Sequence, residues 1–201
     1  MQRRMQARVT GCCLALLLCA APVAAEWHFT PFAGVTFKGD TSLLIDFDSA
    51  AAKRHTALGG AVGLLGDGVF GVEAIGLWVP GFFQTGAGTL VEQSRVTSFM
   101  GNVVVTAPRR WTEYSLRPFV SGGVGVIQAK SIDANRVRPY DSTFKSFNVG
   151  GGAVGFFSQR TGVRFDLRYY RTMRGLPPEL FAVGEPRLRY MTASIGVVLR
   201  R

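Results

Sequence analysis

At 201 residues the chain is long enough for one domain with a sizeable core. It carries 23 Lys+Arg against 13 Asp+Glu, a formal charge of +10, yet only 18% of its residues are charged, where a soluble domain has about 25%. Gly (25) and Phe (15) are abundant, and no apolar run beyond the N-terminal region approaches the roughly 20 residues of a membrane helix, so the composition argues against helical spans and toward β structure.

Residues 1–25 read as a signal peptide, and residues 26–201 as a single domain. Arg3, Arg4 and Arg8 make a basic start, Gly11 to Ala21 is an apolar run, and Val23-Ala24-Ala25 offers the small residues that a signal peptidase reads. Cleavage is expected after Ala25, leaving Glu26 as the mature N-terminus. The run is too short for an anchor helix, and Leu18 before Cys19 does not suit lipid attachment. Cys12, Cys13 and Cys19 all fall in the removed segment, so the mature chain is expected to have neither disulfide nor thiol chemistry. Losing three arginines leaves a net charge of about +7.

Eight alternating segments follow. Trp27 to Phe37 places Trp27, Phe29, Ala33, Val35 and Phe37 on one face and His28, Thr30, Phe32, Gly34 and Thr36 on the other, with Pro31 tolerable at a bulge or an unpaired position. His55 to Gly66 alternates Leu58, Val62 and Leu64 with Ala57, Gly59, Ala61 and Gly63, and Asp67-Gly68 is a hairpin signal. Val69 to Val79 carries Phe70, Val72, Ala74 and Trp78 opposite Glu73. Val96 to Ala107 sets Phe99, Val103 and Val105 against Ser98, Met100, Asn102 and Thr106. Leu116 to Gln128 sets Val120, Val124 and Val126 against Arg117, Phe119, Ser121 and two glycines. Phe144 to Ser158 sets Phe147, Val149, Ala153 and Phe157 against Asn148, Gly150, Gly152 and Val154. Gly162 to Thr172 is the most telling segment: Val163, Phe165, Leu167 and Tyr169 oppose Arg164, Asp166, Arg168 and Tyr170. Arg189 to Leu199 closes the series, with Met191, Ala193, Ile195, Val197 and Leu199 on one side.

The connections alternate long and short. The long ones, 38–54, 81–95, 129–143 and 173–186, would all fall at one end of an up-and-down sheet. Segments of about 10–12 residues suit a tilted membrane strand better than a soluble one. Aromatics collect near the segment ends: Trp27, Phe29, Phe70, Trp111, Tyr114 and Phe157 at the turn end, and Phe37, Trp78, Phe82, Phe83, Phe144 and Tyr190 at the loop end, as two interfacial girdles would require. The expected architecture is therefore an all-β, eight-stranded antiparallel up-and-down transmembrane β-barrel, its apolar stripes facing lipid and its charged stripes facing the lumen. A soluble lipocalin-like carrier, with the stripes reversed, is the competing reading.

The alternating strands and the run Arg164-Phe165-Asp166-Leu167-Arg168-Tyr169-Tyr170 resemble the small OmpA-like and opacity-type outer-membrane barrels, over about the whole mature chain. That resemblance implies a bacterial outer-membrane location, short periplasmic turns and long extracellular loops. Family members usually end in an aromatic residue, whereas this chain ends Val198-Leu199-Arg200-Arg201, keeping the alternating apolar part of an assembly signal in Ile195, Val197 and Leu199.

An eight-stranded barrel is only just wide enough for its own side chains, so a lumen packed by paired charges is expected from Glu73, Arg117, Arg164, Asp166 and Arg168, with Lys145 a further candidate. Glu73 is expected to pair with Arg117 or Arg164. A narrow gated porin-like channel is the alternative. Basic residues of the long loops, Lys53, Arg54, Lys130, Arg136, Arg138, Arg174, Arg187 and Arg189, form a rim able to meet lipopolysaccharide phosphates. The loops also offer a surface for an extracellular ligand, and the barrel is expected to be a monomer. Gly150 to Gly155 fits a dinucleotide pattern formally, but no helix follows it, and glycine there reads as close strand packing. His28 and His55 have no partners at metal-ligand spacing. Neither has the Ser two residues on that small outer-membrane lipid A deacylases use, which leaves a lipid A-modifying enzyme a remote alternative. No catalytic residue, metal, cofactor or nucleic-acid partner is expected.

Overall fold

Side chains that alternate between apolar and polar make a two-faced ribbon, and eight such ribbons here close on themselves. The computed structural model describes residues 26–41, 53–65, 68–82, 91–108, 116–133, 140–173 and 188–201. The expected signal peptide, the aromatics Phe83, Trp111 and Tyr114, and the rim residues Arg136, Arg138, Arg174 and Arg187 lie outside them. The strands are β1 (Glu26–Thr41), β2 (His55–Leu65), β3 (Phe70–Pro80), β4 (Val91–Thr106), β5 (Arg117–Asp133), β6 (Tyr140–Phe156), β7 (Thr161–Thr172) and β8 (Leu188–Arg200). Each pairs antiparallel with the next, and β1 pairs with β8, so no edge is left open. No helix occurs among the described residues.

The orientation of the faces decides the solvent. Phe165 is 50% exposed, Ile195 53% and Val124 60%, while Glu73, Asn148 and Arg168 are buried to within a few per cent. Apolar residues therefore form the outer wall and the ionic ones the centre, the inverse of a soluble carrier. The structure rules out the lipocalin-like arrangement on this ground.

Register sets which residues share a height. From Glu73 the hydrogen-bonded ladder runs through Asn102, Gly123 and Asn148 to Tyr170 on β7. Going the other way it runs through Gly63, His28 and Arg200, whose amide donates to the Arg160 carbonyl. The two routes reach the β7 hairpin ten residues apart, at Tyr170 and at Arg160. That offset is the stagger of a closed, tilted barrel. The midpoint of the two arrivals is the Arg164–Arg168 stretch, so β7 presents those residues straight across the lumen from Glu73.

Four strands run further toward the loop end than their apolar pattern suggests, and the first of them, β1, continues past Phe37 to Thr41. β4 begins at Val91, β5 ends at Asp133 and β6 begins at Tyr140, so the connection expected over 129–143 shrinks to the stretch between Asp133 and Tyr140. The ladder continues because backbone pairing does not need apolar side chains. Polar cross-strand contacts support it: Lys130 pairs with Asp141 at 2.6 Å, and Gln128 donates to Asp141 at 3.0 Å.

The loop-end girdle is thinner than expected. Trp78 faces outward, but Phe82 and Tyr190 are fully buried and Phe144 packs against the same interior cluster. Gly81, with φ 67° and its amide on the Ser94 carbonyl at 2.8 Å, turns the chain so that Phe82 folds over the mouth of the barrel. At the turn end Trp27, Phe29, Phe70 and Phe157 all face outward.

Curvature crowds the inner wall where β6 meets β7. A Cβ on Gly152 would stand 1.8 Å from the Phe165 carbonyl oxygen, whereas one on outward-facing Gly60 would meet nothing closer than 3.9 Å. Gly152→Ala is therefore expected to destabilise the barrel by about 1–3 kcal/mol, as overpacking does, and Gly60→Ala to leave it nearly unchanged. Urea midpoints of the two variants refolded in lipid vesicles check this.

Candidate functional site

The tilt of β3 and β7 brings four charged side chains together at mid-height, and their formal charges sum to zero. Glu73 forms an ion pair with Arg164 across the lumen and another with Arg168 at 3.2 Å. Asp166 accepts from Arg164 at 2.7 Å and from Arg168 at 2.8 Å, so each carboxylate is shared by both guanidiniums. Two asparagines complete a ring. Asn102 donates to Glu73 at 3.2 Å, Asn148 donates to Asn102 at 2.7 Å, and Arg168 donates to Asn148 at 3.0 Å. Arg164 also lies 4.4 Å from the centre of the Phe119 ring. The network ties β3, β4, β6 and β7 to one another through the lumen, which the backbone ladder alone cannot do. Charges so deep are tolerable because each is paired and its remaining hydrogen-bonding capacity is largely met.

Arg117 does not join this cluster. Its guanidinium donates to the Ala107 carbonyl at 2.7 Å and the Gly68 carbonyl at 2.6 Å, at the turn end. It is the first residue of β5, and its guanidinium is taken up by those turn-end carbonyls rather than by Glu73. Lys145 does not join either. It is an odd number of residues from lumenal Asn148, so it projects outward and is exposed. Asn102 and Asn148 were legible as lumenal by parity, but linking them to Glu73 needs the register.

Above the ionic ring the lumen is closed by aromatics. Tyr170 and Tyr190 stack with ring centres 4.9 Å apart, and Phe82 meets Tyr190 edge-on at 5.5 Å. His55 lies 5.3 Å from Phe82. Below the ring, His28 sits near the turn end against Phe156, its Nε2 3.9 Å from Glu26. The cavities left around Arg164 have volumes of about 10 and 20 Å³, on the order of one water each. No group of three or more metal-binding side chains occurs among the described residues.

Of the basic rim, Lys53 and Arg54 are exposed just ahead of β2. Lys130 and Arg189 belong to strands rather than loops: Lys130 pairs with Asp141, and Arg189 with Asp40 near the register shift in β1.

Comparison with known proteins agrees with this geometry. The model of the outer membrane protein beta-barrel domain matches residues 11–200. No curated protein matches in sequence. Among solved structures, Neisserial surface protein A is 11% identical with a TM-score of 0.61, over 87% of this chain and 96% of that one. The N-terminal barrel of Pseudomonas aeruginosa OprF is 13% identical with a TM-score of 0.54, over 88% and 97%. Yersinia pestis Ail, solved with the heparin analogue sucrose octasulfate, is 13% identical with a TM-score of 0.52, over 88% and 99%. These likenesses are of fold. With the family model spanning nearly the whole chain and the apolar stripes turned outward, the chain belongs to the outer membrane protein β-barrel domain family and resides in the bacterial outer membrane.

Proposed function

We propose that this barrel is a structural and surface-interaction protein whose lumen is a brace and whose loop end is the working surface, with residues 1–25 removed on export. The observation that carries the reading is the double filling of the bore, an ionic ring at mid-height beneath stacked tyrosines and Phe82. Conduction would require both of these layers to rearrange. The exposed cations Lys53 and Arg54, with the basic residues of the loops, suit anionic partners such as lipopolysaccharide or a sulfated glycan. That Ail was solved with sucrose octasulfate supports the idea that a barrel of this fold can present such a surface. The barrel is proposed to act as a monomer and without catalysis. Single-channel recording in planar bilayers tests the closed lumen. The expected record is flat, with only rare and brief openings; a steady ohmic conductance from the unaltered protein would replace this reading with the narrow porin-like channel.

A further inference from the structure

The outer wall changes character abruptly where β6, β7 and β8 approach the loops. On the apolar stripe Phe147, which the register sets opposite Arg171, meets Tyr169 edge-on with ring centres 6.5 Å apart, and Tyr169 pairs directly with Met191. One step nearer the loops on the same outward face stand Lys145, Arg171 and Arg189, all exposed. Register puts Arg171 directly opposite Arg189, while the Met173 amide donates to the Lys145 carbonyl at 2.8 Å, holding Lys145 beside the same edge. Like charges directly opposite on neighbouring strands repel. Arg189 is relieved by Asp40. Among the described residues, no carboxylate pairs with Arg171 or Lys145.

Three cations set against a lipid-facing apolar band invite an anion that is itself anchored at that height. We propose that Lys145, Arg171 and Arg189 form a docking site on the outer wall for the phosphate groups of an outer-leaflet phosphoglycolipid, whose acyl chains lie along Phe147, Tyr169 and Met191. A phosphate between Arg171 and Arg189 converts their repulsion into shared, charge-assisted hydrogen bonds, for which guanidinium geometry is suited. The neighbouring apolar side chains lower the local dielectric and so strengthen the contact. This site is on strands rather than loops, and it rests on the membrane orientation of the barrel but not on whether its lumen conducts.

The test is native mass spectrometry of the folded barrel in detergent, titrated with a bis-phosphorylated lipid A and with its dephosphorylated form. Heat-modifiability on gels establishes that each variant is folded. The unaltered protein is expected to retain the phosphorylated lipid preferentially, and Lys145→Gln/Arg171→Gln to bind it roughly tenfold more weakly, the loss of two solvent-accessible charge contacts. Arg160→Gln, at the exposed turn end, is expected to bind like the unaltered protein. Equal retention of the two lipids, unchanged binding by the double variant, or an equal loss in Arg160→Gln would overturn the proposal. So would a soluble phosphorylated disaccharide without acyl chains that competes as well as the lipid. Flat or open channel records leave these outcomes unaffected, so the two readings fail separately.

Discussion

Replacing Glu73 by alanine is expected to lower the stability of the barrel by about 3–5 kcal/mol, the cost of breaking a buried ion pair from one side. The carboxylate faces two guanidiniums and accepts from Asn102 as well, so its removal leaves Arg164 and Arg168 sharing Asp166 alone. One negative charge then stands against two positive ones among side chains that are almost wholly buried. Glu73→Gln keeps the volume but not the charge, and is expected to be destabilising to a similar degree. Removing an arginine together with the glutamate restores part of the balance. The double variant Glu73→Ala/Arg164→Ala is therefore expected to be less destabilised than the two single losses combined, by at least about 1 kcal/mol of coupling. Urea unfolding in lipid vesicles, followed by tryptophan fluorescence and by the heat-dependent gel shift, measures all of these. A loss below about 1 kcal/mol for Glu73→Ala, with strictly additive singles, would mean that water screens the lumen as it screens a surface pair, and the brace role would fall with it.

How much of this was legible beforehand depends on which geometric quantity a residue's role needs. Facing needs only parity. Phe165 and Arg164 could be sent to opposite walls from their alternation alone, and the structure has them there. Parity also suffices for Lys145, three residues before Asn148, and grouping it with the lumenal charges set that odd spacing aside. Height, by contrast, needs register. Glu73 lies more than ninety residues from Arg164, and nothing in either segment states the ten-residue stagger that puts them level. The same missing quantity let Arg117 seem as good a partner as Arg164, although its guanidinium is held at the turn end by the Ala107 and Gly68 carbonyls. Chain reversal is a third quantity. Pro80-Gly81-Phe82 reads as a turn with an aromatic at the membrane edge, but the positive φ at Gly81 turns Phe82 inward onto Tyr190. The strand extensions of β5 and β6 were hidden for a chemical reason, since a ladder bearing Lys130 and Asp141 looks like loop to any reading that tracks apolar alternation.

Charge placed on the outer wall provides the second large effect, and its size is expected to depend on depth. Phe165 lies between Arg164 and Asp166, hence at the height of Glu73 and near the middle of the span, yet its ring faces outward and is half exposed. Leu199 faces outward too, but it pairs with Phe29 and Thr161 at the turn end. Phe165→Arg is expected to cost about 2–4 kcal/mol and Leu199→Arg only about 0–1 kcal/mol, because a guanidinium near the interface reaches water while one at mid-depth must thin the bilayer or draw water in. Thicker vesicles should widen the gap, since the distance to water grows for position 165 and hardly changes for position 199. Reversible unfolding of both variants in short-chain and long-chain lipids measures it. If the two substitutions cost the same, or if the cost at position 165 does not respond to acyl-chain length, then Phe165 does not face hydrocarbon and the outward orientation of the apolar stripes is wrong.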